Sequence, residues 1–134
     1  MRRIDKNTAG DFLEKHHRMG DATSRYRYGL FGVKPGEESQ ETLLAVATFS
    51  NGRTMRDGTR SFEWIRYASE SSLRVIGGMG KLLDAFVEEL HPDDVMTYVD
   101  ASLSDGGSYL ELGFCNEALV SKSGFTNLKL RKRF

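Results

Sequence analysis

Residues 74–90, RVIGGMGKLLDAFVEEL, join a glycine-rich turn to an amphipathic helix, and this transition constrains the fold more than any other feature of the chain. From Gly80 onwards the apolar residues recur at the spacing of one helix face, while charged residues occupy the opposite face. The pattern predicts a helix that ends at His91-Pro92. Because the preceding residues alternate as strands do, this helix is expected to cross over a sheet.

The rest of the chain predicts an ordered series of strands and helices. The expected elements are a helix over 8–19, strands over 25–33, 42–49 and 60–68, the helix over 80–90, a strand over 95–99, a helix over 104–112, and strands over 114–120 and 125–132. Thr8 and Ser104 are the expected caps of the first and last helices, and Gly20 and Gly113 are expected to end them. Hairpins followed by a strand–helix–strand crossover predict an α+β fold with a mixed, mostly antiparallel central sheet and helices on both faces. Because no internal repeat or linker is present, residues 1–134 are expected to form a single domain.

Composition excludes several classes of protein. Lysine and arginine number 19, as do aspartate and glutamate, so net charge indicates neither an acidic nor a basic partner. The single cysteine, Cys115, precludes an internal disulfide bond and is expected to be a small buried group beside Phe114. No apolar run approaches the length of a membrane span and no signal peptide opens the chain, so a cytoplasmic location without membrane association is expected. Three scattered histidines and one cysteine predict no metal site.

The turn before the amphipathic helix has the chemistry of an anion site. Backbone N–H groups at a helix start have no acceptor within the helix, and the helix dipole favours negative charge there. Glycines let a phosphate approach the backbone and permit a positive φ. Asp84 is the first acidic residue of the helix, and Arg74 and Lys81 flank the turn. The alternative is that the glycines only permit close packing of helix on sheet, and local features leave both interpretations open.

Two familiar phosphate motifs are excluded. A Walker loop that ends at Gly80-Lys81 would need a glycine at position 75 and a hydroxyl at position 82, where the chain has Val75 and Leu82. A dinucleotide fingerprint requires the pattern Gly-x-Gly-x-x-Gly, which residues 77–80, GGMG, do not fit.

The turn and a later segment together resemble the GNAT acyltransferases. Residues 74–80 have the form Arg-x-x-Gly-Gly-x-Gly, and they are followed by a helix, a strand and the segment 108–114, SYLELGF. In that family an Arg/Gln-x-x-Gly-x-Gly/Ala turn holds the pyrophosphate of acyl-coenzyme A. A tyrosine in a later Tyr-Glu-Lys-Leu-Gly-Phe segment is often placed to protonate the leaving thiolate, and Tyr109 matches it. The resemblance covers about residues 12–120 and implies the GNAT fold.

The resemblance also implies a set of cofactor contacts to acetyl-coenzyme A or another acyl-coenzyme A. The implied residues are Arg66, Tyr67 and Ala68 in the preceding strand, and Arg74, Val75, Ile76, Gly77, Gly78, Gly80 and Lys81 in the turn. The chain departs from the family pattern at Met79, where the family has glycine or alanine. The thioether side chain is therefore expected to crowd the pyrophosphate.

A narrower likeness joins the chain to an uncharacterised GNAT-like domain of phage and Bacteroidetes proteins. The segments that carry it include residues 43–50, LLAVATFS, 60–69, RSFEWIRYAS, and 95–114, VMTYVDASLSDGGSYLELGF. Some relatives of that group carry the domain beside a homing-endonuclease-type nuclease domain. The group has a Pro-x-Tyr segment near the end, whereas this chain has SKSGFTNLKL at residues 121–130.

Acyl transfer to an amine needs a held thioester, a base and a polarised carbonyl. The resemblance makes Tyr109 the candidate acid, although a tyrosine with its ring in the core and its hydroxyl at the surface fits the sequence equally well. The candidate bases are Glu63, Asp100, His16 and His17. Adjacent histidines on a helix point about a hundred degrees apart and cannot chelate one metal together.

Each carboxylate also has a simpler interpretation. Glu63 lies in a strand, on the face opposite Phe62 and Trp64, so it is either a site residue or part of a solvent-facing surface. Asp100 ends a strand at a sheet opening, where sites collect, or else caps the following turn through its side chain.

The leading hypothesis is an enzyme that transfers an acyl group from acetyl-coenzyme A to a small-molecule or peptide amine, as a monomer or homodimer. The alternative is a non-catalytic GNAT-fold module that binds nucleic acid or protein. Arg25, Arg27 and Arg66 interleave with tyrosines and fit a basic, aromatic surface for single-stranded nucleic acid, although such residues more often protect an edge strand. The basic run 129–133, KLRKR, is expected to be a solvated tail, with nucleic-acid contact as its other interpretation.

Overall fold

The computed structural model describes the chain except for residues 38, 73–74, 103–105 and 123–124. The elements, in chain order, are β1 (Arg2–Arg3), α1 (Lys6–His16), β2 (Tyr26–Gly32), β3 (Thr42–Phe49), β4 (Arg53–Thr54), β5 (Arg60–Ser69), α2 (Gly78–Leu90), β6 (Asp94–Asp100), α3 (Gly107–Glu111), β7 (Cys115–Lys122) and β8 (Phe125–Arg133). The β5–β6 pair is parallel, and the pairs β1–β2, β2–β3, β6–β8 and β7–β8 are antiparallel. The predicted α+β class with a mixed, mostly antiparallel sheet is confirmed.

The chain forms two compact units that divide β5 between them. The first unit is Met1–Asn51 with Ile65–His91, and the second is Gly52–Trp64 with Pro92–Phe134. Strands follow the order β1-β2-β3-β5 in the first unit and β5-β6-β8-β7 in the second, where β4 also pairs with β5. The single domain over 1–134 stays a prediction.

The first unit buries one face of each of its helices. Helix α1 packs Ala9, Phe12 and Leu13 against Val46 of β3 and Ala68 of β5. Helix α2 buries three apolar side chains that recur at helical spacing, Leu82, Leu83 and Phe86. The ring of Phe86 stacks on Phe49, with centroids 3.9 Å apart, and meets the edge of Tyr28. The predicted helical period of this segment is confirmed.

In the second unit the parallel pairing of β5 with β6 is short. Its register runs from Ser61 opposite Asp94 to Glu63 opposite Met96, although both strands continue beyond those residues. The next carbonyl along β5, that of Trp64, accepts a hydrogen bond of 2.9 Å from the buried Thr97 hydroxyl. A side chain therefore satisfies this buried carbonyl at the point where the ladder ends.

Several helix boundaries differ from the prediction because the capping residue differs. Asp5, not Thr8, caps α1, since its carboxylate accepts the Thr8 N–H at 2.7 Å. The helix then ends at His16, and Gly20 lies beyond its last turn. Helix α2 begins at Gly78 rather than Gly80. Helix α3 is also shorter than predicted, with Leu112 as its C-cap, while the expected cap Ser104 lies outside the described residues.

Two further expectations about single segments are wrong. The basic run 129–133 is not a solvated tail, because it belongs to β8, which lies between β6 and β7. Cys115 is exposed rather than buried, because it begins β7 at the outer edge of that sheet, while its neighbour Phe114 is buried. The two-residue strands β1 and β4 were not predicted because they are too short to show an alternation.

Candidate functional site

In the glycine turn of the first unit, the residue before α2 has a left-handed backbone conformation. Gly77 is the N-cap of α2, with φ 72° and ψ 9°, and no side chain caps the helix there. A Cβ added at Gly77 would meet no atom within 4 Å, so the position is open to the surroundings. The residue is therefore glycine because of its backbone conformation, not because of a close neighbour.

The next glycine has a different role. A Cβ at Gly78 would lie 2.8 Å from the Tyr67 hydroxyl oxygen and 3.0 Å from a methyl group of Val75. Burial raises the pKa of Tyr67, so its hydroxyl stays protonated beneath the turn. Close helix–sheet packing, the alternative left open by the sequence, is the reason for glycine at this position.

The first turn of α2 presents donors and no negative charge. The Lys81 N–H donates to the Gly77 carbonyl at 3.1 Å, which closes the first helical turn. The N–H groups of Gly78, Met79 and Gly80 precede that bond and so have no acceptor within the helix. The turn contains no acidic residue, and the Lys81 side chain is exposed. This arrangement suits a bound anion.

The other residues predicted to contact a cofactor differ in their exposure and in their contacts. Ile76 is 80% exposed at the tip of the turn, and Val75 is half-buried. Arg66 donates from Nε to the Gly20 carbonyl at 3.2 Å, so its side chain holds the segment after α1. Ala68 is buried and Tyr67 is half-buried in β5, while Arg74 lies outside the described residues.

Tyr109, the candidate acid, lies in α3 of the second unit. Its ring meets the edge of Trp64 at a centroid distance of 5.2 Å and that of Phe114 at 5.5 Å. Both partners are buried and Tyr109 is half-buried, so the Tyr109 ring contributes to an aromatic cluster. This packing role of the ring does not depend on the role of its hydroxyl.

The two candidate carboxylates of the second unit are both half-buried. Glu63 is half-buried on the face opposite the buried Phe62 and Trp64, at the last residue pair of the β5–β6 ladder. The Asp100 carboxylate accepts hydrogen bonds from the Ser102 N–H at 3.0 Å and the Ser102 hydroxyl at 2.7 Å. Turn capping, the simpler interpretation of Asp100, is confirmed.

Both neighbouring histidines at the end of α1 are engaged with the backbone. His17 Nδ1 accepts the Met19 N–H at 2.9 Å, and burial, with the positive charges of Arg66 and Arg18, lowers the pKa of its imidazole. His16 instead contacts Ser71, which follows β5. Sequence patterns did not indicate Ser71, because it is 55 residues from His16 and has no motif of its own.

The basic groups considered for nucleic-acid binding make contacts within their own units. Arg27 donates to the Ser24 carbonyl at 2.9 Å, and the Arg25 guanidinium lies 5.2 Å from the centroid of the Tyr26 ring. In β8, Arg131 forms ion pairs with Asp94 and Glu117, each at 2.6 Å. The charge at the centre of the basic run is therefore neutralised inside the second unit.

Within the described ranges, no three histidine, cysteine, aspartate or glutamate side chains gather as a metal site would require. The helices of the same ranges include none long and apolar enough to cross a membrane.

Comparisons of the sequence find no matching family model and no matching curated protein. Comparisons of the structure find acetyltransferases. A chain of the NatC complex bound to Gag peptide and coenzyme A shares 15% identity, with a TM-score of 0.69 over 99% of this chain and 96% of that one. A spermidine/spermine N-acetyltransferase of Vibrio cholerae shares 12% identity, with a TM-score of 0.66 over 98% of this chain and 90% of that one.

A GNAT-family protein of Desulfovibrio desulfuricans gives a TM-score of 0.58 at 12% identity, over 80% of this chain and 68% of that one. At such identities the likeness concerns the backbone alone. The glycine turn at the start of α2, the interrupted β5–β6 pair and these neighbours lead to one conclusion: the chain has the fold of the GNAT acetyltransferases.

Proposed function

We propose that the protein is an N-acyltransferase that takes an acyl group from acetyl-coenzyme A or another acyl-coenzyme A and transfers it to an amine. The observation that carries the proposal is the start of α2, where Gly77 is left-handed, no side chain caps the helix, and no acidic residue occupies the first turn. The fold adds support, since one structural neighbour is a NatC complex bound to coenzyme A and another acetylates spermidine and spermine.

The pyrophosphate is the part of the cofactor that this turn would hold. A helix N-terminus carries about half a positive elementary charge, and the N–H groups of residues 78–80 supply donors for phosphate oxygens. The exposed Lys81 adds a full positive charge in the same turn. The resemblance adds Arg74, and backbone contacts of residues 66–68 with the cofactor.

In the chemical step the amine attacks the thioester carbonyl, a base removes a proton from the nitrogen, and an acid protonates the thiolate. By the resemblance, Tyr109 is the acid. Of the carboxylates, Glu63 and Asp100 are the two candidate bases, and the Asp100 carboxylate also accepts two hydrogen bonds from Ser102. The acceptor is a small-molecule or peptide amine, the two kinds named for the structural neighbours.

Thermal unfolding with cofactor fragments tests the proposal. Coenzyme A and dephospho-coenzyme A both contain the pyrophosphate, whereas pantetheine has the same thiol arm without it. A ligand at a hundred times its dissociation constant stabilises a folded protein by about 2.7 kcal/mol. We expect coenzyme A and dephospho-coenzyme A to raise the melting temperature and pantetheine to leave it unchanged. Equal shifts with all three ligands, or no shift with any, would contradict a pyrophosphate site.

Substituting Met79 with alanine is expected to tighten acetyl-coenzyme A binding about fivefold, or roughly 1 kcal/mol. The half-buried thioether lies in the first turn of α2, between two residues whose N–H groups would bind the pyrophosphate. Its removal relieves crowding there. Titration calorimetry measures the change, and Met19→Ala, at an exposed methionine of the same unit, is the matched control. Unchanged or weaker binding by Met79→Ala would show that the side chain does not crowd the ligand.

A further inference from the structure

The end of α1 and the end of β5 bring a histidine and a serine together in the first unit. His16 Nδ1 lies 2.7 Å from the Ser71 hydroxyl oxygen and also accepts the Ser71 N–H at 3.2 Å. The packing of α1 on Ala68 of β5 brings His16 close to Ser71, because His16 is the last residue of α1 and Ser71 follows β5 by two residues.

The hydrogen bonds fix the tautomer of the ring. A backbone N–H can only donate, so Nδ1 carries a lone pair and the neutral imidazole holds its proton on Nε2. The Ser71 hydroxyl then donates to the same Nδ1. Nε2 lies 3.9 Å from a carboxylate oxygen of Glu70. The order serine, histidine, carboxylate is that of an activated nucleophile, with the carboxylate at ion-pair distance rather than hydrogen-bond distance from the ring.

The carboxylate of this cluster is held in its ionised form. Lys34 Nζ lies 3.1 Å from Glu70 Oε2, and the Ser72 N–H and hydroxyl donate to Glu70 Oε1. The bond from Lys34, followed by those from Ser72, lowers the pKa of Glu70 to about 2. The Glu70 carboxylate is therefore negative throughout the neutral pH range. It supplies a counterion for the imidazolium that forms when His16 accepts a proton.

The histidine is fixed while the serine is accessible. The His16 side chain is 5% exposed, and its ring packs on Phe12 with centroids 4.5 Å apart. Ser71 is exposed. An exposed hydroxyl is open to an acyl donor, and packing holds the ring in place beside it.

We propose that Ser71 is an acylation site, with His16 as its general base. The Ser71 hydroxyl oxygen attacks the carbonyl carbon of a thioester or activated ester, and a carbon–oxygen bond forms as the carbon–sulfur or ester bond breaks. The serine proton passes to His16 Nδ1 and then to the leaving thiolate, or to water when the leaving group is a stable phenolate. Acyl-coenzyme A as the natural donor rests on the function proposed above, whereas the reactivity of the serine does not.

The test therefore uses two donors. With p-nitrophenyl acetate, which needs no coenzyme site, we expect a burst of p-nitrophenolate equal to the enzyme concentration. With acetyl-coenzyme A we expect the mass of the protein to rise by one acetyl group, located on Ser71 by peptide mapping. Ser71→Ala should abolish both signals, and Ser71→Cys should retain them through its thiol. His16→Asn should slow the burst by about a hundredfold or more, since general bases contribute on that scale.

Matched controls lie in the same unit. Ser50→Ala removes a hydroxyl that donates to the Asn51 carbonyl, away from Glu70, and His17→Asn changes the adjacent histidine, so both should keep the burst. Circular dichroism establishes that each variant is folded. The absence of a burst in the folded wild type, or an acetyl group mapped to a residue other than Ser71, would overturn the acylation site. A burst at Ser71 without binding of acetyl-coenzyme A would overturn the proposed cofactor but would support Ser71 as a nucleophile.

Discussion

Replacing Asp94 with alanine is expected to lower the free energy of unfolding by about 3–5 kcal/mol. The side chain is almost fully buried in the second unit, and its Oδ1 accepts hydrogen bonds from Arg131 at 2.6 Å and from Ser61 at 2.5 Å. Without the carboxylate, the guanidinium loses its buried counterion and the Ser61 hydroxyl loses an acceptor. Urea denaturation followed by circular dichroism measures the change.

The other partner of Arg131 supplies the control for Asp94→Ala. Glu117 also pairs with Arg131 and its pKa is lowered mainly by that contact, but its side chain is 35% exposed. Glu117→Ala is therefore expected to lower the free energy of unfolding by about 1 kcal/mol or less. Adding Arg131→Met to Asp94→Ala should recover part of the loss, because the guanidinium that has lost its buried counterion is removed as well. A loss below about 1 kcal/mol for Asp94→Ala would show that water reaches this ion pair.

Substituting Lys81 with glutamate is expected to weaken acetyl-coenzyme A binding by about ten- to a hundredfold, or roughly 1.4–2.8 kcal/mol. The change places a carboxylate in the first turn of α2, where the pyrophosphate is proposed to bind. A glutamate in that turn also interacts favourably with the helix dipole, by about 0.3–1 kcal/mol. Binding and stability should therefore move in opposite directions, which separates loss of ligand from loss of fold.

Lys6→Glu is the matched control for Lys81→Glu, because it makes the same charge change in the first turn of α1. Calorimetric titrations of both variants at the same ionic strength should show weak binding only for Lys81→Glu. Equal weakening in both would indicate a long-range effect of net charge, and unaltered binding by Lys81→Glu would place the anion elsewhere.

The order of elements could be predicted because the hydrophobic period changes clearly along the chain. The apolar spacing of residues 82–90 identifies α2, and the nearly continuous apolar run of 42–49 identifies β3. The ends of the helices were less predictable because more than one nearby residue can act as the cap. Asp5 and Thr8 are both plausible caps, and only the observed bond from the Thr8 N–H decides between them.

The candidate site could be predicted only where it is continuous in sequence. The glycine turn was recognised, but the separate reasons for Gly77 and Gly78 depend on a backbone angle and on the Tyr67 hydroxyl, which sequence patterns do not reveal. The contacts of Arg131 with Asp94 and of Ser71 with His16 join residues 37 and 55 positions apart. Contacts between residues so far apart in sequence arise from strand order and helix packing, so no local sequence motif indicates them.

Titration of acetyl-coenzyme A into the folded wild-type protein by calorimetry tests the proposed cofactor site most directly. The predicted result is saturable binding at one site per chain that dephospho-coenzyme A displaces and pantetheine does not. Binding should also weaken as salt concentration rises, since the proposed pyrophosphate site consists of a helix N-terminus and a lysine. No heat of binding from a protein shown to be folded would contradict an acyl-coenzyme A site at α2.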